Sequence, residues 1–286
     1  MEKRILLVGA AGGIGQIAAA KLVDKGYHVV GTVRDAEEAA SVRSAVPGIA
    51  EVAIVPLSDA DAAKESFRAI LAADDRPLAA VVGCAGVATY GAVETTPLAD
   101  FRAFMEVNTF ANVALYQAAL PYLRQSKGKV VIVSSFMGML GFPLFSQYSA
   151  SKHALEGLMN IARLEAGQWG VGVSLIVPGG VKTGMTSDLP AKIAACLGRL
   201  SPAEAKLYHA YFEQYSQLMQ ASVDSYSEPD SVADKIVTAV EAVQPEPHYV
   251  VGDDASGILE QKKVLPERDF DAMLKSMFPG SAVITA

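Results

Sequence analysis

The sequence predicts a doubly wound α/β fold: seven strands in a mostly parallel sheet with helices on both faces. Three observations carry that expectation. Short runs rich in Val and Ile alternate with helix-like stretches, and each run is apolar almost without a break. A glycine-rich turn follows the first run and opens a helix. Strands buried on both faces need such unbroken apolar content, and strand–helix alternation gives a parallel sheet joined by right-handed crossovers.

In order, the strands are "RILLV" (4–8), "HVVGTV" (28–33), "EVAIV" (51–55), "AAVVG" (79–83), "KVVIVS" (129–134), "GVSLIV" (172–177) and "HYVVG" (248–252). Helical stretches lie between them at 13–25, 59–73, 100–124 and 148–167. About 70 residues, 178–247, separate the last two strands and must hold extra helices, with a substrate lid expected at about 184–230. There, "LYHAYFEQYSQLM" sets Leu207, Tyr208, Tyr211, Phe212, Tyr215 and Met219 on one helical stripe. Such a stripe suits a lid, or equally a helix packed on the core or on another subunit. The tail 253–286 has a mixed pattern and no assigned place. No repeat, low-complexity tract or linker divides the chain, so one domain is expected over residues 1–286.

Composition narrows the function. At 51% hydrophobic and 19% charged residues, a sizeable core is expected and wholesale disorder is not. A net charge of -7 with no Lys/Arg tract argues against a nucleic-acid partner. Cys84 and Cys196 are far apart, fit no metal or redox spacing, and suit a reducing compartment. Glycines break the apolar run of "MEKRILLVGAAGGIG", so no signal peptide is expected, and no segment approaches the ~20 apolar residues that span a bilayer. The expectation is a cytoplasmic protein with a small-molecule substrate and no metal, membrane or nucleic-acid partner.

Two motifs carry chemistry. In "VGAAGGIGQ", Gly9, Gly13 and Gly15 would let the backbone turn sharply and approach a pyrophosphate, whose charge the free N–H groups of the following helix would receive. The spacing is G-x-x-x-G-x-G, and Gly12 adds an overlapping G-x-x-G-x-x-G. In "SQYSASKHALEG", Tyr148 and Lys152 stand at i and i+4 and share a helix face. A phenol titrates near ~10, and an adjacent ammonium lowers that value toward the working range.

With both motifs present, the chain resembles the short-chain dehydrogenases/reductases of the single-domain type, over about residues 4–186 with weaker support from the last strand. Further elements fit: Ser135 thirteen residues before the tyrosine, Asn108 in "EVNTFAN", and P-G-x-x-x-T as Pro178, Gly179 and Thr183. The resemblance implies a nicotinamide-binding Rossmann fold that interconverts a secondary alcohol and a ketone. Tyr148 would be the acid/base, Lys152 its modulator and a ribose contact, and Ser135 a hydrogen-bond partner of the carbonyl oxygen. Asn108 would help position a water that relays protons to Lys152. Coenzyme contacts are implied at Gly9, Gly13, Ile14, Gly15, Arg34, Leu57, Ser58, Ala85, Gly86, Tyr148, Lys152, Pro178, Gly179, Val181 and Thr183. A homodimer or homotetramer is implied as well.

The sequence departs from the family pattern at several positions. Val8 stands where threonine is common before Gly9, "GCAG" replaces N-N-A-G so that Gly83 and Cys84 stand for two asparagines, and Pro56 replaces an aspartate. Adenine recognition then falls to backbone around Leu57 and Ser58. In "VVGTVRD", Val33 occupies the position that is acidic in NAD-preferring relatives, and Arg34 follows it. Arg34 can fork onto a 2′-phosphate, with Thr32 nearby, whereas Asp35 could neutralise it and Gly12 leaves the turn without a second basic residue. NADP is the expected coenzyme, with NAD possible. Phe136, Met137, Met139, Leu140, Phe142 and Phe145 would flank a cleft suited to a lipophilic substrate. Two other classes remain: a nucleotide-sugar epimerase or dehydratase of the extended type, and a non-enzymatic dinucleotide sensor.

Overall fold

The computed structural model describes residues 2–187 and 189–277. Strands β1 (Arg4–Val8), β2 (His28–Val33), β3 (Glu51–Ile54), β4 (Leu78–Gly83), β5 (Lys129–Val133), β6 (Gly172–Pro178) and β7 (His248–Val251) form one sheet in the order β3-β2-β1-β4-β5-β6-β7. Every pairing is parallel. The unbroken apolar runs have a direct cause in the pleat. On β1, Leu6 and Val8 enter one core while Ile5 and Leu7 enter the other.

Helices α1 (Gly13–Asp24), α2 (Ala36–Ala45), α3 (Ala60–Ala72), α4 (Leu98–Met105), α5 (Ala111–Ser126) and α6 (Ser146–Gly167) connect the strands. Phe67 of α3, Leu115 of α5 and Leu155 of α6 fill the core on one face. On the other face, Leu22 of α1 packs in the same core as Ile236, which lies on α10 (Pro229–Glu241). Asp35 and Asp59 cap α2 and α3, accepting from the Glu38 and Ala62 N–H groups at 2.9 and 3.0 Å. Growth of the sheet reverses between β1 and β4, and ligands of open α/β sheets bind in the crevice beyond such strand ends.

The helix expected over 100–124 is two helices joined by a π-helical turn, Glu106–Phe110, which holds Asn108. Hydrophobic spacing could not reveal this extra residue in the turn. Between β6 and β7 lie α7 (Gly184–Ser187), α8 (Leu189–Leu197), α9 (Pro202–Ser222) and α10. A capping box between Ser201 and Glu204 starts α9. The expected stripe on this helix is divided: Phe212 and Tyr215 are buried in the core, whereas Leu207 is 54% exposed. Tyr215 packs on Tyr90 and Phe145, with ring centroids 5.5 and 5.4 Å apart. Tyr208 donates to Glu94 Oε2 at 2.6 Å, and Arg199 pairs with Asp100 at 2.8 Å. Phe212 and Tyr215 thus dock α9 on the core. Of the residues expected to flank the cleft, Met137, Leu140, Phe142 and Phe145 are buried as well.

The tail forms α11 (Asp253–Val264) and α12 (Glu267–Ser276), the latter docked by Phe270 and Leu274. The tail's last residues, 278–286, and Asp188 of the expected lid lie outside the described residues. Among the described residues, no helix is long and apolar enough to cross a membrane, and no His/Cys/Asp/Glu group could hold a metal.

Candidate active site

The glycine turn sits where β1 meets β4. Gly9 has φ +87°, and a Cβ there would lie 2.6 Å from the Ala85 backbone nitrogen. A Cβ on Gly15 would lie 2.1 Å from the Gly9 carbonyl oxygen, so helix and turn approach too closely for any side chain. Gly12 caps α1 without a side-chain hydrogen bond, which leaves N–H groups of the first turn to a ligand. Gly13 faces the Thr183 methyl group, 3.3 Å from where a Cβ would stand. The glycine turn, Ala85 and the loop after β6 thus line one cradle, and its shape and free donors fit a dinucleotide phosphate.

That loop is strapped from several directions. Gly179 N–H donates to the Val251 carbonyl at 2.9 Å, Gly180 N–H to Asp254 Oδ2 at 2.7 Å, and Ser227 N–H to the Gly180 carbonyl at 2.9 Å. Pro178 and Val181 are buried beside it. Asp254 comes from the tail that sequence pattern left unplaced, and local spacing held no signal for it.

Ser135, Tyr148 and Lys152 converge at the C-terminal end of β5. Ser135 caps a short 3₁₀ turn, Phe136–Gly138, its Oγ accepting from Met137 N–H at 3.2 Å. Its hydroxyl lies toward Tyr148 and opposes the upward push that burial gives the phenol. The expected lowering of the phenol by Lys152 is not what this geometry gives: burial dominates and the Tyr148 pKa is raised. Lys152 is 3% exposed and donates to the Val133 carbonyl at 2.9 Å, with its Nζ 5.9 Å from the Tyr148 ring centroid. Burial pulls the ammonium down to about 8, against the raising influence of Glu156 and Cys84. Burial also pushes the Cys84 thiol up to about 12, which leaves no reactive thiolate.

Asn108 is fully buried, and both of its amide donors are taken. Nδ2 donates to the Val87 carbonyl and to Ser151 Oγ, each at 3.0 Å, and Oδ1 accepts from Val87 N–H at 2.8 Å. The side chain therefore fastens the segment after Gly86 to α6. A Cβ on Gly86 would come within 3.3 Å of Asn108 Oδ1 and 3.8 Å of Lys152 Nζ.

At the end of β2, Arg34 is engaged by Glu38, a partner the sequence reading passed over. Its Nε donates to Glu38 Oε1 at 2.7 Å, and its backbone N–H donates to Oε2 at 2.8 Å. Asp35, the expected competitor, is occupied as the cap of α2, and Thr32 is buried. An i, i+4 acid–base pair was legible in "RDAEE". Ile14 and Leu57 are half-buried and Ser58 exposed, and Glu106 Oε1 accepts from Ala60 N–H at 2.6 Å just beyond them.

A phosphate-shaped cradle at the switch point, with a buried serine and lysine and a half-buried tyrosine beside it, defines a dinucleotide-dependent oxidoreductase. Comparison with known proteins gives the family. The model of short chain dehydrogenases matches residues 3–194, and the chain belongs to that family. An uncharacterised oxidoreductase of Bacillus subtilis, YusZ, is 32% identical over 243 residues, 82% of this chain and 84% of that protein. The NADPH-dependent 3-dehydrocapnine reductase of Ornithobacterium rhinotracheale is 30% identical, covering 93% of this chain and 94% of its own. A solved short-chain dehydrogenase from Streptomyces avermitilis superposes with a TM-score of 0.75 at 26% identity, over 96% of this chain and 95% of that one.

Proposed function

We propose that this oxidoreductase uses NADP(H) to interconvert a secondary alcohol and a ketone. The observation that carries the reading is the convergence of Ser135 and Tyr148 with the buried Lys152, whose Nζ lies 5.9 Å from the Tyr148 ring centroid. When bound, the nicotinamide supplies or accepts the hydride. Tyr148 Oη delivers the proton to the carbonyl oxygen in reduction and takes it back in oxidation. Ser135 Oγ accepts from Met137 N–H, which holds the hydroxyl in place, and its own O–H is the donor to the reacting oxygen. The Lys152 charge stabilises the phenolate as the proton leaves. Asn108 acts by holding the Val87 segment against α6, which fixes the floor of the coenzyme cleft.

NADP(H) is favoured because Val33 offers no carboxylate to repel a 2′-phosphate and Arg34 is exposed at the edge of the cradle. The NADPH dependence of the Ornithobacterium relative points the same way. Phe145 lies with its ring centroid 6.0 Å from that of Tyr148, so the cleft beside the phenol is aromatic and suits a lipophilic substrate. Leu158, Ile161 and Leu164 recur every three residues on α6 and are exposed, as is Phe110. A second copy of the chain would cover this stripe and give a homodimer. Free Cys84 and Cys196 suit the cytoplasm.

The test is NADPH oxidation across a panel of ketones and aldehydes of graded size and polarity. Turnover that prefers bulky apolar ketones supports the reading. No turnover with any carbonyl compound, or preference for short hydrophilic ones, overturns the activity or the substrate class respectively.

A further inference from the structure

Lys152 makes its hydrogen bond to a neutral carbonyl, yet it is a cation sealed from water. A buried ammonium with only a dipole for company sheds its proton. One helical turn further along α6 stands Glu156, whose side chain is 7% exposed and lies on the same face. Its Oε2 is 2.9 Å from His248 Nε2 at the start of β7, and its Oε1 is buried with no hydrogen-bond partner among the described residues. The turn that carries Ser135 presses on both residues. A Cβ on Gly138 would sit 2.9 Å from Glu156 Cγ and 3.0 Å from the Lys152 carbonyl oxygen.

We propose that Glu156 is a positioning residue of the active site: the buried carboxylate that, anchored by His248, holds Lys152 as a cation beneath Tyr148. The titratable groups around Lys152 are few. Tyr148 and Glu156 lie on its own helix, Cys84 faces it from the end of β4, and His248 reaches it through Glu156 from β7. Of these, the carboxylate is the group assigned as the counter-charge, because burial keeps the phenol and the thiol protonated. His248 holds one carboxylate oxygen in place and leaves the rest of the charge inside the protein, where it acts over a distance that water would screen. Nothing in the acid/base assignment of Tyr148 and Lys152 requires a carboxylate at this position.

The inference rests on the catalytic reading of Lys152 only for its kinetic consequence, so the experiment has two arms. Protein carrying ¹³C-labelled lysine is titrated by NMR, with the Lys152 Cε signal assigned from K152R. In Glu156→Gln, nearly the same in shape but neutral, the Lys152 midpoint falls by about one pH unit or more. Glu156→Asp, which keeps the charge, restores most of the shift. The high-pH limb of carbonyl reduction with NADPH moves down by the same amount. An unchanged Lys152 midpoint in Glu156→Gln overturns the proposal. If the midpoint moves and the kinetic limb does not, the counter-ion stands and the catalytic reading of Lys152 fails. The Glu156 Cδ shift of the unsubstituted protein gives a check that needs no variant: a protonated carboxyl at pH 7 overturns the proposal.

Discussion

Asn108 and Val87 exchange a pair of hydrogen bonds, Val87 N–H to Oδ1 at 2.8 Å and Nδ2 to the Val87 carbonyl at 3.0 Å. One buried carboxamide in a π-helical turn thereby closes the segment that follows β4. Asn108→Ala leaves Ser151 Oγ short of a donor inside the protein and cuts Val87 loose. We expect a stability loss of about 2–3 kcal/mol in urea, and a fall in kcat larger than the rise in KM for the carbonyl substrate. A variant of unchanged stability would remove Asn108 from the structural account given above.

Gly9 and Gly26 both have positive φ, +87° and +82°, but only Gly9 meets a neighbour. A Cβ on Gly26 finds nothing within 4 Å, so Gly26→Ala should cost roughly 1 kcal/mol of backbone strain and leave coenzyme affinity unchanged. Gly9→Ala has the same strain plus a clash with the Ala85 backbone. It should destabilise by several times as much, on the order of 3 kcal/mol or more, and weaken NADPH binding in a fluorescence titration. Equal behaviour of the two variants would contradict the cradle geometry.

Tyr148→Phe keeps the ring against Phe145 and removes the transferable proton. We expect kcat to drop by about 10²–10⁴-fold with the dissociation constant for NADPH within roughly twofold of the original. Retention of most of kcat would transfer the acid/base role elsewhere.

Lys152 also sets a stability expectation with a definite sign. Its native pKa is about 8 against an ordinary 10.5, so between those values the unfolded chain binds the extra proton and stability rises with pH. Below pH 8 both states are protonated, and the full cost of the buried charge, on the order of 3 kcal/mol, is present. Lys152→Met removes that cost and gives up the bond to the Val133 carbonyl. The inactive variant should be more stable by about 1–3 kcal/mol near pH 7, with the advantage shrinking as pH climbs toward 10. Urea melts at the two ends of that range decide the matter, and a less stable variant at pH 7 contradicts it.

Much of this was legible because it is local. The strands of the sheet were visible in runs such as "RILLV" because burial on both faces leaves no polar residue to interrupt them. The i, i+4 spacing of Tyr148 and Lys152, and the glycines at 9, 13 and 15, have meaning within a single turn of chain. What stayed hidden depends on distant contacts. Asp254 reaches Gly180 across 74 positions and His248 reaches Glu156 across 92, and no periodicity encodes either. The stripe on α9 was found, but not its partner: only the folded chain shows Tyr215 against Tyr90 and Phe145.

The coenzyme preference turns on a competition at Arg34. Its side chain is 77% exposed and forks onto Glu38, so the pair is worth no more than about 1 kcal/mol in water. A 2′-phosphate offers a charge-assisted contact of ~1.5–3 kcal/mol and a larger negative charge, which outweighs the pair it displaces. Glu38 therefore moderates NADP(H) binding without preventing it, and its carboxylate opposes the incoming phosphate. Arg34→Ala should weaken NADP(H) roughly tenfold to a hundredfold in kcat/KM and in binding of 2′,5′-ADP, leaving NAD(H) little changed. Glu38→Gln releases the guanidinium while an amide oxygen can still accept from the Arg34 N–H. It should tighten NADP(H) by up to about fivefold, with the gain fading at high salt and absent in the Arg34→Ala background. Equal losses for both coenzymes in Arg34→Ala, or an undiminished effect of Glu38→Gln without Arg34, would show that the phosphate is read by other groups.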